Sequence, residues 1–244
     1  MVIKSGLKCV NENGGIGTLG IHPTKPETGY GYIQYDADKV IDVELESKGE
    51  SSFEKIFKVK TFAEKPNAEV AAEFLKSGDF LWNSGMFIFR TDTMMEEIKN
   101  FMPELDTALV KLRDNLLSKD FPKILEAEYS KLKSISIDYG VMEKAKEVYI
   151  IRSHFGWNDV GAWDEVYNIK EKDNNGNVNQ GRTVTINTKN CLIINDMKMV
   201  ATIGVEDLLI INTENGLLIC KRGEAQSVKE VVDYLRRKGL DQYL

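Results

Sequence analysis

The stretch that decides the fold is Phe62-Ala63-Glu64-Lys65-Pro66. The apolar run over 56–62 predicts a strand, and it ends at the adjacent opposite charges of Glu64 and Lys65. Pro66 prevents the strand from continuing and biases Lys65 toward an extended backbone. The sequence therefore predicts that an acid and a base lie where a strand ends.

A helix is predicted directly after this strand. Asn67 is a candidate N-cap, and Gly78 marks the end of the apolar periodicity. Between them, the apolar residues at helical spacing are Val70, Ala71, Phe74 and Leu75. Open α/β sheets place their ligands at such strand-to-helix junctions. An exposed ion pair beside a turn would also account for Glu64 and Lys65.

Composition narrows the class of protein. The 244 residues are 42% hydrophobic and 29% charged, which is ordinary for a globular protein with a full core. A net charge of −6 without a block of basic residues argues against nucleic acid as a partner, and no apolar run approaches a membrane span. The three cysteines form no C-x-x-C, so we expect reduced thiols and a cytoplasmic location.

Two further stretches carry side chains suited to a polar ligand. Thr28-Gly29-Tyr30-Gly31-Tyr32 separates two glycines by an aromatic residue, which allows the backbone to approach a ring such as a sugar. An aromatic strand with a bulge is the alternative. A buried strand over 81–89 carries Asn83 and Ser84 at its entry, where amide and hydroxyl groups suit hydroxyl recognition, or ordinary turn chemistry.

Carboxylates occur in two later stretches. Asp159 lies between tryptophans in Gly156-Trp157-Asn158-Asp159-Val160-Gly161-Ala162-Trp163. A carboxylate in a Trp-lined site needs a cation or hydrogen-bond donors, so Asp159 is a candidate metal ligand, and a helix N-cap is the alternative. Asp138 is a candidate helix N-cap, and Glu143 a charge on a helix face.

Several other segments are predicted to have structural roles and no chemical one. The formal G-x-G-x-x-G in 14–20 is followed by two prolines and predicts a buried Gly-rich strand, not a dinucleotide loop. The charged segment 36–52 predicts a solvent-exposed excursion, and Thr91 or Asp92 a helix N-cap. His22 and His154 lie far apart in the sequence without metal-ligand partners at local spacing, so neither receives a catalytic role.

The C-terminal part predicts a small β unit. A turn-rich stretch over 173–181 is the expected internal boundary, with domains at 1–178 and 179–244. Five short apolar runs follow at close, even spacing, which suggests a few coils of a β-helix: 183–186, 191–194, 199–203, 208–211 and 217–220. A final helix is predicted to begin with a capping box formed by Ser227 and Glu230.

Together these stretches resemble the mannose-1-phosphate guanylyltransferases, within the sugar-1-phosphate nucleotidyltransferase family. The matching motifs occur in order over nearly the whole chain: Thr28–Tyr32, Phe62-x-Glu64-Lys65-Pro66, Trp82-Asn83-Ser84-Gly85-Met86-Phe87, Asp138-Tyr139-Gly140-Val141-Met142-Glu143 and Gly156-Trp157-Asn158-Asp159-Val160-Gly161. The tail 181–244 resembles the small C-terminal β-helix region of the family. Five ordered motifs are far more specific than any one of them.

The resemblance implies an α/β fold: the sugar-binding half of a Rossmann-like domain, a small β-helix-like unit and a terminal helix. It implies transfer of GMP from GTP to mannose 1-phosphate, with Mg²⁺ as cofactor and GDP-mannose and pyrophosphate as products. Lys65 would bind the sugar phosphate and act in catalysis. Tyr30, Gly31, Glu64, Asn83 and Ser84 would bind the sugar, and Asp159 would be one of two catalytic aspartates that hold the metal.

The resemblance also shows what this sequence lacks. The family signature of the form G-G-x-G-x-R-L-x-P, which wraps the nucleotide phosphates, does not occur, nor does the stretch that carries the other metal aspartate. We therefore expect an N-terminally truncated enzyme with little activity alone, and exposed sheet edges that favour a homodimer or other self-association. A non-catalytic sugar-phosphate-binding or subunit-assembly module, and a sister enzyme for another sugar or base, remain alternatives.

Overall fold

The computed structural model describes residues 2–47 and 50–244, and of Glu46, Ser47, Glu50 and Ser51 only the backbone. The chain forms two compact units, one up to Trp157 and the other from Asn158 to Leu244. The mixed α/β class, the C-terminal β unit and the terminal helix are confirmed.

The first unit is built around five strands that close into a barrel in the order β1-β4-β2-β3-β5. Only β1 and β5 pair in parallel, and the other neighbours pair antiparallel. The strands are β1 (Ile16–Ile21), β2 (Tyr32–Ser47), β3 (Glu50–Ala63), β4 (Phe80–Phe89) and β5 (Val148–Ser153). The expectation of open edges in this sheet is wrong, because β5 pairs with both β1 and β3 and so closes it.

Helices surround this barrel. They are α1 (Val2–Asn13), α2 (Ala68–Ser77), α3 (Thr91–Phe101), α4 (Pro103–Asp114) and α5 (Phe121–Tyr129), with a π-helical turn over Asp138–Met142. The Gly-rich segment forms the fully buried strand β1, as predicted. A Cβ atom at Gly20 would lie within 3.0 Å of side-chain atoms of Leu81 and Ile150, so glycine lets these two side chains pack closely against β1.

Residues 36–47 and 50–52 are not an exposed excursion, because they form part of the paired strands β2 and β3. Charged residues there alternate with apolar ones, so one face of β2 is buried while the other is solvated. Val43 and Leu45 from the apolar face pack with Cys9 of α1 and Leu19 of β1. Lys48 and Gly49, which belong to the same prediction, lie outside the described residues.

Two of the predicted helix caps are wrong. The N-cap of α3 is Arg90, and Asp92 instead forms an ion pair with Arg90 at 2.7 Å. Ser227 precedes the last helix in a helical backbone conformation, and its side chain makes no capping hydrogen bond. Residues 225–227 already form a 3₁₀ turn, so the backbone enters the helix without the extended N-cap that a capping box needs.

The second unit contains a four-stranded sheet in the order β6-β7-β8-β9. The first three strands are parallel and β9 is antiparallel to β8. Its elements are α6 (Trp163–Ile169), β6 (Val178–Ile186), β7 (Leu192–Ile203), β8 (Leu208–Asn212), β9 (Leu217–Lys221) and α7 (Val228–Arg237). The predicted runs 191–194 and 199–203 join into the single strand β7.

The boundary between the two compact units follows Trp157, earlier in the sequence than the predicted boundary at 178 and 179. The reason is that α6 packs onto the second sheet, with Tyr167 in one apolar cluster with Val178, Leu192 and Leu209. The domain limits 1–178 and 179–244 concern family organisation and stay a prediction. Within the described residues, no helix is long and apolar enough to cross a membrane.

Candidate functional site

Glu64 and Lys65 form the turn between β3 and α2, as the sequence predicts. The helix begins there because the Asn67 side chain accepts a hydrogen bond from the Val70 N–H at 2.9 Å. Glu64 Oε1 and Lys65 Nζ lie 3.4 Å apart, with the Glu64 side chain 18% and the Lys65 side chain 64% exposed. The lysine therefore reaches into solvent while the glutamate is held against the protein.

The backbone of Lys65 differs from the prediction. Its φ is +46°, in the left-handed region, whereas a residue before proline normally has an extended backbone. Lys65 lies in the turn between the last residue of β3 and the Asn67 N-cap. A non-glycine residue in the left-handed region costs roughly 1–2 kcal/mol, and such strain is frequent at functional sites.

Gly31 brings the backbone of one segment against the side chains of two others. Its carbonyl accepts a hydrogen bond from the Asn83 N–H at 2.7 Å. A Cβ atom at Gly31 would collide with the Glu64 carboxylate and would lie 3.3 Å from the Asn83 Cβ. Gly31, Glu64, Lys65 and Asn83 are therefore brought together, although Glu64 and Asn83 lie nineteen residues apart in the sequence.

The segment before Gly31 is held by Glu27. Its side chain accepts a hydrogen bond from the Gly29 N–H at 3.1 Å, and its carboxylate lies 3.0 Å from Lys25 Nζ. Burial raises the pKa of Glu27, but the hydrogen bonds from Lys25 and from the Gly29 N–H outweigh it, so the net pKa is lowered. An ionised Glu27 thus orders the approach to Gly31.

Asp138 is a neighbour of this site that we did not predict as a site residue. Asn83 Nδ2 donates a hydrogen bond to Asp138 Oδ1 at 2.8 Å, and Asn83 Oδ1 accepts one from the Gly85 N–H at 3.1 Å. Asp138 is not the N-cap that the sequence suggested, because the N-cap position is Ile137 and Asp138 is the first residue of the π-helical turn. Its position in a family motif was the only signal in the sequence.

Ser84 and Tyr30 have other contacts as well. The Ser84 hydroxyl donates to the Leu19 carbonyl at 2.6 Å and accepts from the Met86 N–H at 3.2 Å. The Tyr30 ring makes edge contacts with Trp82 and Trp157, with centroids 5.1 and 5.3 Å away. Both residues flank the Gly31–Asn83 contact in sequence, and their roles toward a ligand stay predictions.

Asp159 lies in the second unit, three residues before the N-cap of α6. Asp159 Oδ1 accepts a hydrogen bond from the Gly161 N–H at 3.2 Å, and Val160 between them has a φ of +50°. A Cβ at Gly161 would lie 2.6 Å from Asp159 Oδ2, so a larger residue there would displace the carboxylate. The N-cap of α6 is Ala162, so the N-cap alternative for Asp159 is wrong.

The side chains that the structure describes offer few ligands for a metal ion. Mg²⁺ takes six oxygen ligands in near-octahedral geometry. Among the side chains that the structure describes, no group of three or more His, Cys, Asp or Glu is placed to hold a metal ion. Asp159 alone supplies too few ligands, so these residues do not form a metal site by themselves.

His22 and His154 are closer together in the structure than their separation in the sequence suggested. They follow directly on the register pair Ile21 and Ser153 of the parallel strands β1 and β5. Their ring centroids lie 6.4 Å apart, and both residues are exposed. In the part of the chain that the structure describes, no third metal-ligating side chain joins them.

Comparison with known proteins decides the family. The family model described as Nucleotidyl transferase matches residues 7–176. The chain belongs to the nucleotidyl transferase family. A second family model, described as MannoseP isomerase/GMP-like beta-helix domain, matches residues 181–235 and supports the β-helix-like interpretation of the C-terminal unit.

Curated relatives match nearly all of this chain. It is 37% identical to a mannose-1-phosphate guanylyltransferase of Escherichia coli over 238 residues, which are 97% of this chain and 49% of the relative. It is 36% identical to the alginate biosynthesis protein AlgA of Pseudomonas putida over 93% of this chain and 45% of that protein. The chain thus spans about half the length of the curated relatives it matches.

A solved structure is similar along almost the whole chain. The crystal structure of a mannose-1-phosphate geranyltransferase from Thermus thermophilus superposes with a TM-score of 0.74 and 32% sequence identity. The match covers 96% of this chain and 64% of that one. Nucleotidyl transferases generally use a divalent metal ion, for which the described residues offer Asp159 but no complete ligand set.

Proposed function

We propose that this chain carries the sugar-1-phosphate site of a mannose-1-phosphate guanylyltransferase, which transfers GMP from GTP to mannose 1-phosphate and forms GDP-mannose and pyrophosphate. The observation that carries the proposal is the convergence of Gly31, Glu64, Lys65 and Asn83 at one strand-to-helix junction. The identity to a relative with that activity in its name supports the choice of substrates.

Each side chain has a role that fits its chemistry. Lys65 has a flexible, solvent-exposed ammonium group and would bind the sugar phosphate. Glu64 and Asn83 offer acceptors and donors for sugar hydroxyls, and Gly31 lets the sugar approach the backbone. Tyr30 would lie against the sugar ring, and Ser84 would add a hydroxyl contact.

The proposed reaction needs positioning and charge neutralisation more than covalent chemistry by the protein. An oxygen of the sugar phosphate attacks the α-phosphorus of GTP in line, and pyrophosphate leaves. Lys65 would hold the attacking phosphate in one place and offset its negative charge, which lowers the entropic cost of the encounter. Glu64 would keep the Lys65 ammonium group near the turn through their ion pair.

The cofactor, location and assembly are further parts of this proposal. We propose Mg²⁺ as the divalent ion, with Asp159 as one ligand and the remaining ligands from outside the described residues. The three cysteines are free, which agrees with a reducing cytoplasm. Self-association is also proposed, and the four-stranded sheet has two edge strands, β6 and β9, through which a second chain would pair.

Calorimetric titration with mannose 1-phosphate tests the proposal. We expect saturable binding by the wild-type chain, loss of binding in Lys65→Ala, and unchanged binding in Lys76→Ala, which removes an exposed lysine from the end of α2. Titration with unphosphorylated mannose should give much weaker binding. Equal binding by both lysine variants, or none by the wild type, would overturn the proposal.

A further inference from the structure

Asp138 has one carboxylate oxygen engaged and one available. Oδ1 accepts the hydrogen bond from Asn83 Nδ2 at 2.8 Å. Among the side chains that the structure describes, none donates a hydrogen bond to Oδ2 or forms an ion pair with the carboxylate. The residue is partly exposed, and a small ligand at this oxygen is part of the inference drawn below. A carboxylate has about four acceptor positions, which leaves capacity for a hydroxyl donor.

The first oxygen determines how Asn83 faces the site. A flipped Asn83 amide would place its oxygen against the Asp138 carboxylate and its NH₂ group against the Gly85 N–H, which repel. The carboxylate therefore holds the Asn83 amide in one orientation. The second N–H of Asn83 consequently points in a fixed direction.

The surroundings indicate which part of a ligand lies here. Asn83 lies close to two carboxylates. It shares the contact at Gly31 with Glu64, and it donates a hydrogen bond to Asp138. Two carboxylates repel a phosphate but form strong charge-assisted hydrogen bonds with hydroxyl groups. A sugar phosphate would therefore place its phosphate toward Lys65 and its hydroxyls toward Asp138.

We propose that Asp138 determines sugar specificity: Oδ1 positions the Asn83 amide, and Oδ2 accepts a hydrogen bond from a hydroxyl of the bound sugar. This inference rests on the proposed function, because it takes mannose 1-phosphate as the ligand of the Gly31–Asn83 site. It adds a carboxylate contact and a sugar orientation that the sequence did not indicate.

Two variants and a matched control test this role. Asp138→Ala removes both interactions, whereas Asp138→Asn keeps an acceptor for Asn83 and replaces the second oxygen by a donor. Asp79→Asn is the control, because Asp79 accepts a hydrogen bond from the Gln34 amide at 2.7 Å in the same barrel but away from the site. Both asparagine variants change the net charge equally. Circular dichroism establishes that each is folded.

The readout is calorimetric affinity for mannose 1-phosphate and its monodeoxy analogues. Both Asp138 variants should bind mannose 1-phosphate about tenfold to a hundredfold more weakly, as expected for losing a hydrogen bond to a charged group, and Asp79→Asn should bind like wild type. The analogue that lacks the hydroxyl bound by Asp138 should bind the wild-type chain at least about tenfold more weakly than mannose 1-phosphate does. An Asp138 variant should bind this analogue and mannose 1-phosphate with the same affinity.

The possible failures are distinguishable. A wild-type chain that does not bind mannose 1-phosphate overturns the proposed function and this inference with it. If the wild type binds but an Asp138 variant keeps its full affinity, or the same preference among the analogues, only the role of Asp138 is wrong. If Asp138→Ala does not fold, Asp138→Asn carries the same comparison.

Discussion

Replacement of Gly31 by alanine would test whether backbone, carboxylate and amide form one binding site. Gly31 is buried and its φ lies outside the left-handed region, so alanine can adopt its backbone conformation. The new Cβ would meet the Glu64 carboxylate, which is the far end of a flexible side chain and can rotate away. The second contact, with the Asn83 Cβ at 3.3 Å, needs a shift of only a few tenths of an ångström.

The expected cost for stability is small and the cost for binding is large. Rotation of Glu64 breaks its ion pair with the exposed Lys65, and such pairs contribute about 0–1 kcal/mol. The free energy of unfolding should therefore fall by about 1 kcal/mol or less. Affinity for mannose 1-phosphate should fall about tenfold to a hundredfold, because a hydrogen bond to the displaced carboxylate contributes about 1.5–3 kcal/mol.

The assay combines urea unfolding with calorimetric titration of mannose 1-phosphate. Gly29→Ala is the control, because a Cβ there meets only the Glu27 carboxylate, at 3.4 Å, and the residue is exposed. It should leave both stability and affinity unchanged. Wild-type affinity in Gly31→Ala, or an equal loss in Gly29→Ala, would refute the assignment of Gly31 and Glu64 to a common site.

Three further predictions follow from the geometry. In guanidinium unfolding, Lys65→Gly should be about 0.5–1 kcal/mol more stable than Lys65→Ala, because glycine relieves the left-handed strain at the cost of some chain entropy. Equal stability of the two variants would show that there is no strain. Asp164→Ala should destabilise the second unit by about 1–3 kcal/mol in hydrogen exchange, since its carboxylate accepts hydrogen bonds from two N–H groups of 223–225; unchanged protection would contradict this. Hydrogen bonds from Lys111 and then Lys131 lower the pKa of Glu128 below its ordinary 4.5. The ionised Glu128 carboxylate therefore stabilises the fold above pH 4.5, and this stabilisation is lost as the pH falls. Glu128→Gln should be less stable than wild type in thermal unfolding at about pH 7 but similar at about pH 3, and a difference independent of pH would exclude this role.

The β3–α2 junction was predictable because its signals are local. A proline, an N-cap and a C-terminal glycine each act within a few residues, and Asn67 and Gly78 occupy the predicted positions. The backbone of Lys65 was not predictable in this way, because the preference imposed by Pro66 is weak compared with the need to turn the chain into the helix.

The strand pairing of 36–47 was missed for a different reason. The high charge of this segment suggested solvent exposure, but the alternation of apolar and charged residues from Ile41 to Leu45 has the period of a half-buried strand. The closed barrel depends on pairing between β3 and β5, which lie far apart in the sequence. Local patterns do not specify such a pairing.

The candidate site shows the same limit. Gly31, Glu64, Lys65 and Asn83 were named from their motifs, but their contact depends on the barrel register that sets Gly31 against Asn83. The local pattern at Asp138 suggested a capping role. Its contact with Asn83 was missed because Asn83 lies fifty-five residues earlier in the sequence. A side-chain hydrogen bond over that separation leaves no periodic signal.

A crystal structure of the chain with mannose 1-phosphate tests the central claim most directly. The account predicts the phosphate within hydrogen-bond distance of Lys65 Nζ and sugar hydroxyls against Glu64 and Asn83. A sugar phosphate bound elsewhere, for example in the groove of about 670 Å³ beside Met102 and Leu132, would contradict it.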